Sequence, residues 1–306
     1  MSMGKVALLF AGQGAQYPGM GKDFYEQNPA AREVLATLEQ QRPGTMQQCF
    51  SGSKEELSLT LNTQPCLFAV DYAIARAVEQ AGIPVAAAAG FSLGEIPALA
   101  FAGLLELEQA FALVCYRAAV MQKASKQHPG GMQAILKLPA ECIIELAAPY
   151  SDVFPVNYNS PEQTAVAGKP EQLQAFGADV KAVGGRAVPL AVSGAFHSPY
   201  MDSAAEALAD YVQTITIQEG TCAVYANYTA EPYTAATARE YIANQVNHPV
   251  QWVRTIRRML ADGVDCFIEV GPGKTLSGLV KKITADARVY KVENLEDLAA
   301  LQQSIG

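Results

Sequence analysis

Apolar residues along the chain alternate between short continuous runs and longer stretches with helical spacing. The runs at 5–10, 85–90 and 266–270 have no polar alternation, which predicts buried strands. Residues 65–82 repeat apolar positions at helical spacing and end at Gly82, as a helix does. Continuous apolar strands separated by helices are typical of a parallel sheet covered on both faces. The pattern therefore predicts an α/β fold.

The pattern of strands and helices changes at residues 128–198, which predicts a smaller inserted unit there. After the break at 128–131, strands and helices are expected in the order β-α-β-β-α-β, ending with a strand over 187–192. That order is the split βαβ pattern of a ferredoxin-like unit. The large domain would then consist of residues 1–127 and 199–306, and its second half is expected to contain one long helix over 237–263.

The composition of the chain excludes several classes of protein and several kinds of binding partner. The 306 residues are 50% hydrophobic, which is ample for a core, and the net charge of −8 argues against nucleic acid and anionic membranes as partners. The longest apolar stretch, 85–105, contains Ser92, Glu95 and Pro97, so no membrane span is expected. Six scattered cysteines without a C-x-x-C motif indicate free thiols in a reducing cytoplasm, and no metal site.

The sequence Gly90-Phe-Ser-Leu-Gly94 matches G-x-S-x-G between a predicted strand and a predicted helix. A sharp strand-to-helix turn crowds its neighbours, so residues without a Cβ are needed on both sides of Ser92. The Leu93 N–H would lie at a helix N-terminus, where it can bind an oxyanion. The alternative is an ordinary turn flanked by glycines.

A nucleophilic serine needs a base, and the chain has three histidines. His128 and His248 each precede a proline, whereas His197 lies where the small domain returns to the large one. Clefts between domains are common active sites, so His197 is the preferred base. No acidic residue stands in a motif as the third member, and a neutral group such as a carbonyl oxygen could orient the base instead.

Two further features have open interpretations. The glycine-rich loop after the first strand could cradle a phosphate, supply the Gln13 N–H to an oxyanion hole, or be a plain turn. Arg117 lies in an apolar helical stretch, where it either binds a substrate carboxylate or extends its charge to the surface.

Taken together, these motifs resemble the malonyl-CoA:acyl carrier protein transacylase family over essentially the whole chain. The resemblance rests on the segments 10–16, 90–95, 117–122, 157–161, 194–198, 245–252 and 269–274. It implies an α/β-hydrolase-like large domain with a mostly parallel sheet and an inserted ferredoxin-like small domain.

The resemblance also assigns roles to residues. Ser92 would be the nucleophile and His197 the base, held by the backbone carbonyl of Gln245, while the N–H groups of Gln13 and Leu93 would form the oxyanion hole. Arg117 would hold the malonyl carboxylate. Two further substrate-binding residues, Met121 and Phe196, would leave little room for an α-substituent.

Two positions depart from the family pattern. The residue before the nucleophile is usually His, and here it is Phe91. The first loop usually reads Pro-Gly-Gln-Gly-Ser-Gln, and here Ala11 and Ala15 replace its proline and serine. Phe91 removes a polar group beside Ser92, which could change the rate or the hydrolytic leakage without changing the reaction class.

The resulting hypothesis is a malonyltransferase for fatty-acid or polyketide synthesis that works by a ping-pong route through a seryl ester. Malonyl-CoA and acyl carrier protein are the expected partners, with no metal or other cofactor, and the resemblance favours a monomer. The alternatives are a serine acyl hydrolase on the same scaffold and a non-catalytic carrier-protein docking protein.

An acidic carrier protein calls for a basic docking surface on this acidic chain. The candidates are Lys281 and Lys282 on one predicted helix, and Arg186 near the edge of the small domain. A solvated helix face explains the two lysines equally well.

Overall fold

The computed structural model describes residues 4–305 and places nine strands in two separate sheets. The strands are β1 (Lys5–Phe10), β2 (Val85–Gly90), β3 (Gly131–Leu136), β4 (Val153–Ser160), β5 (Gln163–Gly168), β6 (Arg186–Pro189), β7 (Ala223–Tyr225), β8 (Val264–Val270) and β9 (Arg288–Val292).

Helices cover both sheets. They are α1 (Lys22–Gln27), α2 (Pro29–Gln41), α3 (Thr45–Ser51), α4 (Lys54–Ser58), α5 (Thr60–Gln80), α6 (Glu95–Phe101), α7 (Leu107–Gln127), α8 (Ala140–Ala147), α9 (Pro170–Ala182), α10 (Asp202–Tyr211), α11 (Ala238–Asn244), α12 (Trp252–Ala261), α13 (Thr275–Ile283) and α14 (Leu295–Ile305). Across residues 4–305, none of these helices has the length and apolarity to cross a membrane.

The first sheet is parallel throughout, with the strand order β7-β2-β1-β8-β9. Side chains of β1 alternate between two cores: Leu8 packs in the cluster on one face, and Leu9 packs in the cluster on the other. Because both faces are buried, the strand reads as a continuous apolar run. The predicted α/β class with a mostly parallel sheet is confirmed.

The second sheet is antiparallel, with the strand order β4-β5-β3-β6. This is the order expected of a ferredoxin-like unit, and it is confirmed here. Alternate residues again divide the faces: Ile135 and Val166 pack in a core with Phe176 of α9, while Met132 and Ala165 line a cavity beside Ser92. The exact domain boundaries, 1–127 with 199–306 and 128–198, stay a prediction.

The single helix predicted over 237–263 is wrong, because α11 and α12 are separated by residues 245–251. Pro249 lacks a backbone N–H and disfavours helical geometry in the residue before it. The segment pairs instead with β4, since the Val250 N–H donates to the Val156 carbonyl at 2.8 Å. This break matters for the site, because it leaves the backbone carbonyl of Gln245 free to accept a hydrogen bond.

Two other predicted boundaries also shift. The helix predicted from residue 65 begins at Thr60, so Pro65 lies inside α5. The strand predicted over 187–192 is β6, which covers Arg186–Pro189. Elements near the C-terminus, β9 and α14, were not predicted. β9 is an edge strand with two charged residues, Arg288 and Lys291, among its five.

Candidate active site

Ser92 lies in a sharp turn between β2 and α6, at the start of a single 3₁₀ turn formed by Ser92–Gly94. Its φ of 54° is in the left-handed region that residues with a side chain seldom adopt. A Cβ on Gly90 would lie 1.9 Å from the Gly94 carbonyl, and one on Gly94 would lie 2.3 Å from the Phe10 carbonyl oxygen. Both glycines are therefore required by close backbone approach.

The Ser92 hydroxyl oxygen lies 2.7 Å from His197 Nε2, and His197 Nδ1 lies 2.9 Å from the Gln245 carbonyl oxygen. A carbonyl oxygen only accepts, so Nδ1 carries the proton and donates it to Gln245. Nε2 is then free to accept the Ser92 proton. The structure thus brings three of the predicted catalytic groups into one chain of hydrogen bonds, with a carbonyl as the orienting group.

His197 is buried and adopts a left-handed φ of 61°. Burial, followed by the positive charge of Arg117, lowers its pKa to about 4, against the hydrogen bond to the Gln245 carbonyl. The imidazole is therefore neutral at physiological pH. A neutral imidazole is the form that can take a proton from the serine.

Arg117 is 1% exposed, so the alternative of an arginine that extends to the surface is wrong. Its Nη2 lies 2.7 Å from Gln245 Oε1 and 3.3 Å from Ser92 Oγ, and its Nη1 lies 2.8 Å from Gln64 Oε1. Within residues 4–305 it forms no salt bridge. Burial lowers the pKa of the guanidinium to about 10, so it remains charged.

A cavity of about 110 Å³ opens above Ser92, and Gln13, Phe196 and His197 are among its lining residues. Of the predicted oxyanion donors, Gln13 borders this cavity, and Leu93 is buried in the turn beside Ser92. Met121 does not line it; the Met121 sulfur lies behind Gln64, 3.4 Å from Gln64 Nε2.

The Ser92 cavity is the first of three neighbouring cavities that share wall residues, and the outermost is lined mostly by exposed side chains. Phe91 and Asn159 line both it and a second cavity of about 230 Å³. Gln163 lines the second cavity and also an outer one of about 530 Å³. Phe91 packs edge-on against Trp252, at 5.4 Å between ring centroids, and so forms an apolar wall along this path.

Two of the three predicted docking residues meet at the outer cavity. Arg186 and Lys282 line it together with Lys137, whereas Lys281 is exposed on α13 outside its lining. These residues are separate from the Ser92 site.

Sequence reasoning overlooked several polar residues around Ser92. Gln64 holds Arg117, and the fully buried Glu95 and Asn227 lie beneath the turn. Burial raises the pKa of Glu95 to about 7, against hydrogen bonds from Tyr233 and Asn227 and the charge of Arg117. Glu95 stands directly after the G-x-S-x-G motif, and that position is the one sequence feature that points to it. No sequence pattern marks Gln64 or Asn227.

No group of three or more His, Cys, Asp or Glu among the described residues could hold a metal ion.

Both the sequence and the structure are similar to those of known proteins. The acyl transferase domain family matches residues 7–299. The malonyl CoA-acyl carrier protein transacylase of Bacillus subtilis is 36% identical over 99% of this chain and 98% of its own length. The crystal structure of the Clostridium perfringens transacylase superposes with a TM-score of 0.94 at 37% identity, covering 98% of this chain and 97% of that one. A malonyl transacylase in complex with a type II polyketide acyl carrier protein gives a TM-score of 0.94 at 32% identity, covering 98% and 99% of the two chains.

We expect Ser92 to react with p-nitrophenyl acetate down to an unusually low pH. The base must be neutral, so the rate should be lost as the pH falls through about 4 rather than through the ordinary histidine value of about 6.5. Arg117→Ala removes a positive charge and should move this acid limb to higher pH. A stopped-flow pH profile measures both, with circular dichroism to detect unfolding.

The surface variant Arg76→Ala serves as the matched control and should keep the parent's acid limb, because Arg76 pairs with Glu79 on the exposed face of α5. An acid limb near 6.5 in the parent enzyme would contradict the proposed environment of His197.

Proposed function

This chain belongs to the malonyl-CoA:acyl carrier protein transacylase family, and we propose that it moves a malonyl group from coenzyme A to acyl carrier protein through an ester on Ser92. The transfer supplies malonyl units for fatty-acid or polyketide synthesis. The hydrogen bonds from Ser92 to His197 and from His197 to Gln245 support the seryl ester, because they give the hydroxyl a neutral, oriented base.

In the first half-reaction, Ser92 Oγ attacks the thioester carbonyl while His197 Nε2 takes the hydroxyl proton. The carbonyl oxygen becomes an oxyanion, for which the N–H groups of Gln13 and Leu93 are the proposed donors. The carbon–sulfur bond then breaks, and the imidazolium returns its proton to the departing coenzyme A sulfur. Malonyl-Ser92 and free coenzyme A result.

In the second half-reaction, the phosphopantetheine thiol of the carrier protein gives its proton to His197 and attacks the malonyl ester. The oxyanion forms at the same place, so one set of donors serves both steps. Collapse breaks the bond to Ser92 Oγ, which regains its proton from the imidazolium. The enzyme returns to its starting state with no net proton change.

The observation that carries this proposal is the buried, unpaired cation of Arg117 beside Ser92. Its hydrogen bonds to the described residues go to the uncharged oxygens of Gln64, Gln245 and Ser92, and the buried carboxyl of Glu95 acts on it only through its charge. The malonyl carboxylate would therefore be the first anionic group to bond Arg117 directly. A buried charge is strongly destabilising when it has no counter-ion. A general acyl hydrolase has no use for such a cation, and a non-catalytic docking protein has none for the Ser92–His197 pair.

Phe196 supports selectivity for an unsubstituted malonyl group. Its side chain lines the small cavity and is largely buried, so it limits the space for a methyl group on the α-carbon. Met121 acts less directly, by packing behind Gln64.

The outer cavity with Arg186 and Lys282 is the proposed docking surface for the acidic carrier protein. The linked cavities between it and Ser92 suit an extended phosphopantetheine arm. The six free cysteines fit the expected reducing, cytoplasmic location.

Replacing Arg117 by Ala should separate malonyl transfer from general acyl transfer. Removing one member of a buried charge pair costs about 2–5 kcal/mol, so kcat/KM for malonyl-CoA should fall by roughly 30-fold or more. Acetyl-CoA, which has no carboxylate, should load Ser92 as well as or better than in the parent. Intact-protein mass spectrometry of the acyl-enzyme measures both rates. Equal malonyl rates in Arg117→Ala and parent would refute the carboxylate role.

Charge reversal should distinguish the two neighbouring lysines of α13. Lys282→Glu and Arg186→Glu should raise the KM for carrier protein and weaken its dependence on salt, since both residues line the outer cavity. Lys281→Glu, outside that lining, is the matched control and should have the smaller effect. Loading by malonyl-CoA should change little in all three. An unchanged KM and salt dependence in Lys282→Glu would contradict docking at this surface.

A further inference from the structure

Asn227 lies beneath the turn that carries Ser92, and all four of its polar atoms form hydrogen bonds there. Its Oδ1 accepts from the Ser92 N–H at 2.7 Å, and its Nδ2 donates to the Gly90 carbonyl at 2.6 Å. Its backbone N–H donates to Glu95 Oε2 at 2.6 Å, and its carbonyl accepts from the Gln251 N–H at 2.9 Å. The residue is 1% exposed, so water does not compete for these bonds.

The side chain of Asn227 continues the parallel sheet past the point where its strand ends. β7 pairs with β2 as far as Tyr225 and Ala89, and then the two chains separate. The Gly90 carbonyl and the Ser92 N–H flank Phe91, and a neighbouring strand would bond such a pair of groups. Here one amide side chain bonds both, so it fixes the backbone on each side of the turn.

Because the Ser92 N–H already donates to Asn227 Oδ1, it is not available to bind an oxyanion. This agrees with Gln13 and Leu93 as the proposed donors. It also explains how Ser92 is held at a φ of 54°, a conformation that costs about 1–3 kcal/mol and persists only when its surroundings enforce it.

Asn227 is itself anchored from below. Glu95 is fully buried and accepts from the Asn227 backbone N–H with one carboxylate oxygen and from the Tyr233 hydroxyl with the other. Glu95 begins α6, directly after the turn that carries Ser92. The anchor therefore joins the start of α6 to the loop after β7.

We propose that Asn227 is a positioning residue that holds the Ser92 turn in its reactive geometry, and that Glu95 with Tyr233 holds Asn227. This inference rests on Ser92 being the acylated residue, as proposed above. Asn227 touches neither substrate nor reacting atoms, so it should affect the rate of acylation and not the affinity for malonyl-CoA. A misplacement of about 1 Å in such a site can cost roughly 100-fold in rate.

The variant Asn227→Asp tests the two hydrogen bonds directly. An aspartate still accepts from the Ser92 N–H, but its second oxygen repels the Gly90 carbonyl, so acylation should slow by roughly 10- to 100-fold at neutral pH. Protonation of that carboxyl restores a donor toward Gly90. The ratio of variant to parent acylation rates should therefore rise as the pH falls from about 8 to about 5.

Four titratable or charged groups surround Asn227 and the turn: Glu95, Tyr233, Arg117 and His197. The ratio of the two rates cancels the titration of the groups that the substitution leaves unchanged, whereas Glu95 lies beside position 227 and titrates together with the new carboxyl. Glu95 is near enough to raise the pKa of an aspartate at 227, which brings its protonation into the accessible range. A rate ratio that does not change with pH would overturn the proposal.

Rapid-quench measurement of acyl-Ser92 provides the rates, with malonyl-CoA and p-nitrophenyl acetate as separate acyl donors. The maximum rate should fall for both donors while the half-saturating malonyl-CoA concentration stays within about twofold of the parent's. If the parent fails to form malonyl-Ser92 but the ester arm shows the expected pH effect, the proposed function fails and the positioning role stands.

Asn294→Ala is the matched control. The side-chain oxygen of Asn294 also accepts a hydrogen bond from a backbone N–H, that of Asp297 at the start of α14. Its loss should lower the melting temperature, because removing such a cap costs about 1 kcal/mol, and leave acylation unchanged. An equal loss of acylation in this variant would show that general destabilisation explains the effect.

Tyr233→Phe keeps the inference testable if Asn227→Asp does not fold. The change removes one hydroxyl from the buried end of the network and should slow acylation by roughly 3- to 10-fold, the equivalent of one net hydrogen bond. The half-saturating malonyl-CoA concentration should again be unchanged. A parent-like acylation rate in folded Tyr233→Phe would overturn the part of the proposal that assigns the anchor to Glu95 and Tyr233.

Discussion

The rest of the site depends on a buried positive charge, the guanidinium of Arg117, which forms no salt bridge within residues 4–305. Arg117 lies on α7, in an apolar environment where an unpaired charge is strongly unfavourable. The fold compensates with the amide oxygens of Gln64 and Gln245, which are polar but uncharged. The cation is therefore held in place without a direct ion pair, and the buried Glu95 acts on it only through its charge. That arrangement favours an acyl group that brings its own carboxylate.

The same charge also acts on the base. Burial, followed by the charge of Arg117, lowers the pKa of His197, so the imidazole stays neutral and able to accept a proton. Gln245 joins the two functions, because its side chain bonds Arg117 and its backbone carbonyl bonds His197. In the proposed mechanism, substrate selection and activation of Ser92 are thus coupled through Gln245, in the short break between α11 and α12.

The chemistry of this protein was easier to predict than its supporting contacts. Ser92 carries a local signature, because a tight strand-to-helix turn requires glycines nearby. His197 could be selected since there are few histidines. Gln64 and Asn227 have no such signature, because a glutamine in a helix or an asparagine after a strand is ordinary until its partners are known. The break after Gln245, by contrast, does have a local signal, because Pro249 stands within the helix predicted over 237–263.

The sequence by itself determined the α/β class and the ferredoxin-like order of elements, and it singled out Ser92 as the candidate nucleophile. Each of these depends on local periodicity or on a steric demand within a few residues. Only the tertiary structure decided that Arg117 is buried and that Asn227 closes the turn at Ser92. Those contacts join residues more than twenty positions apart. Their energies come from desolvation and from pairing across the carboxyl edge of the sheet, and neither is visible in the spacing of residues along the chain.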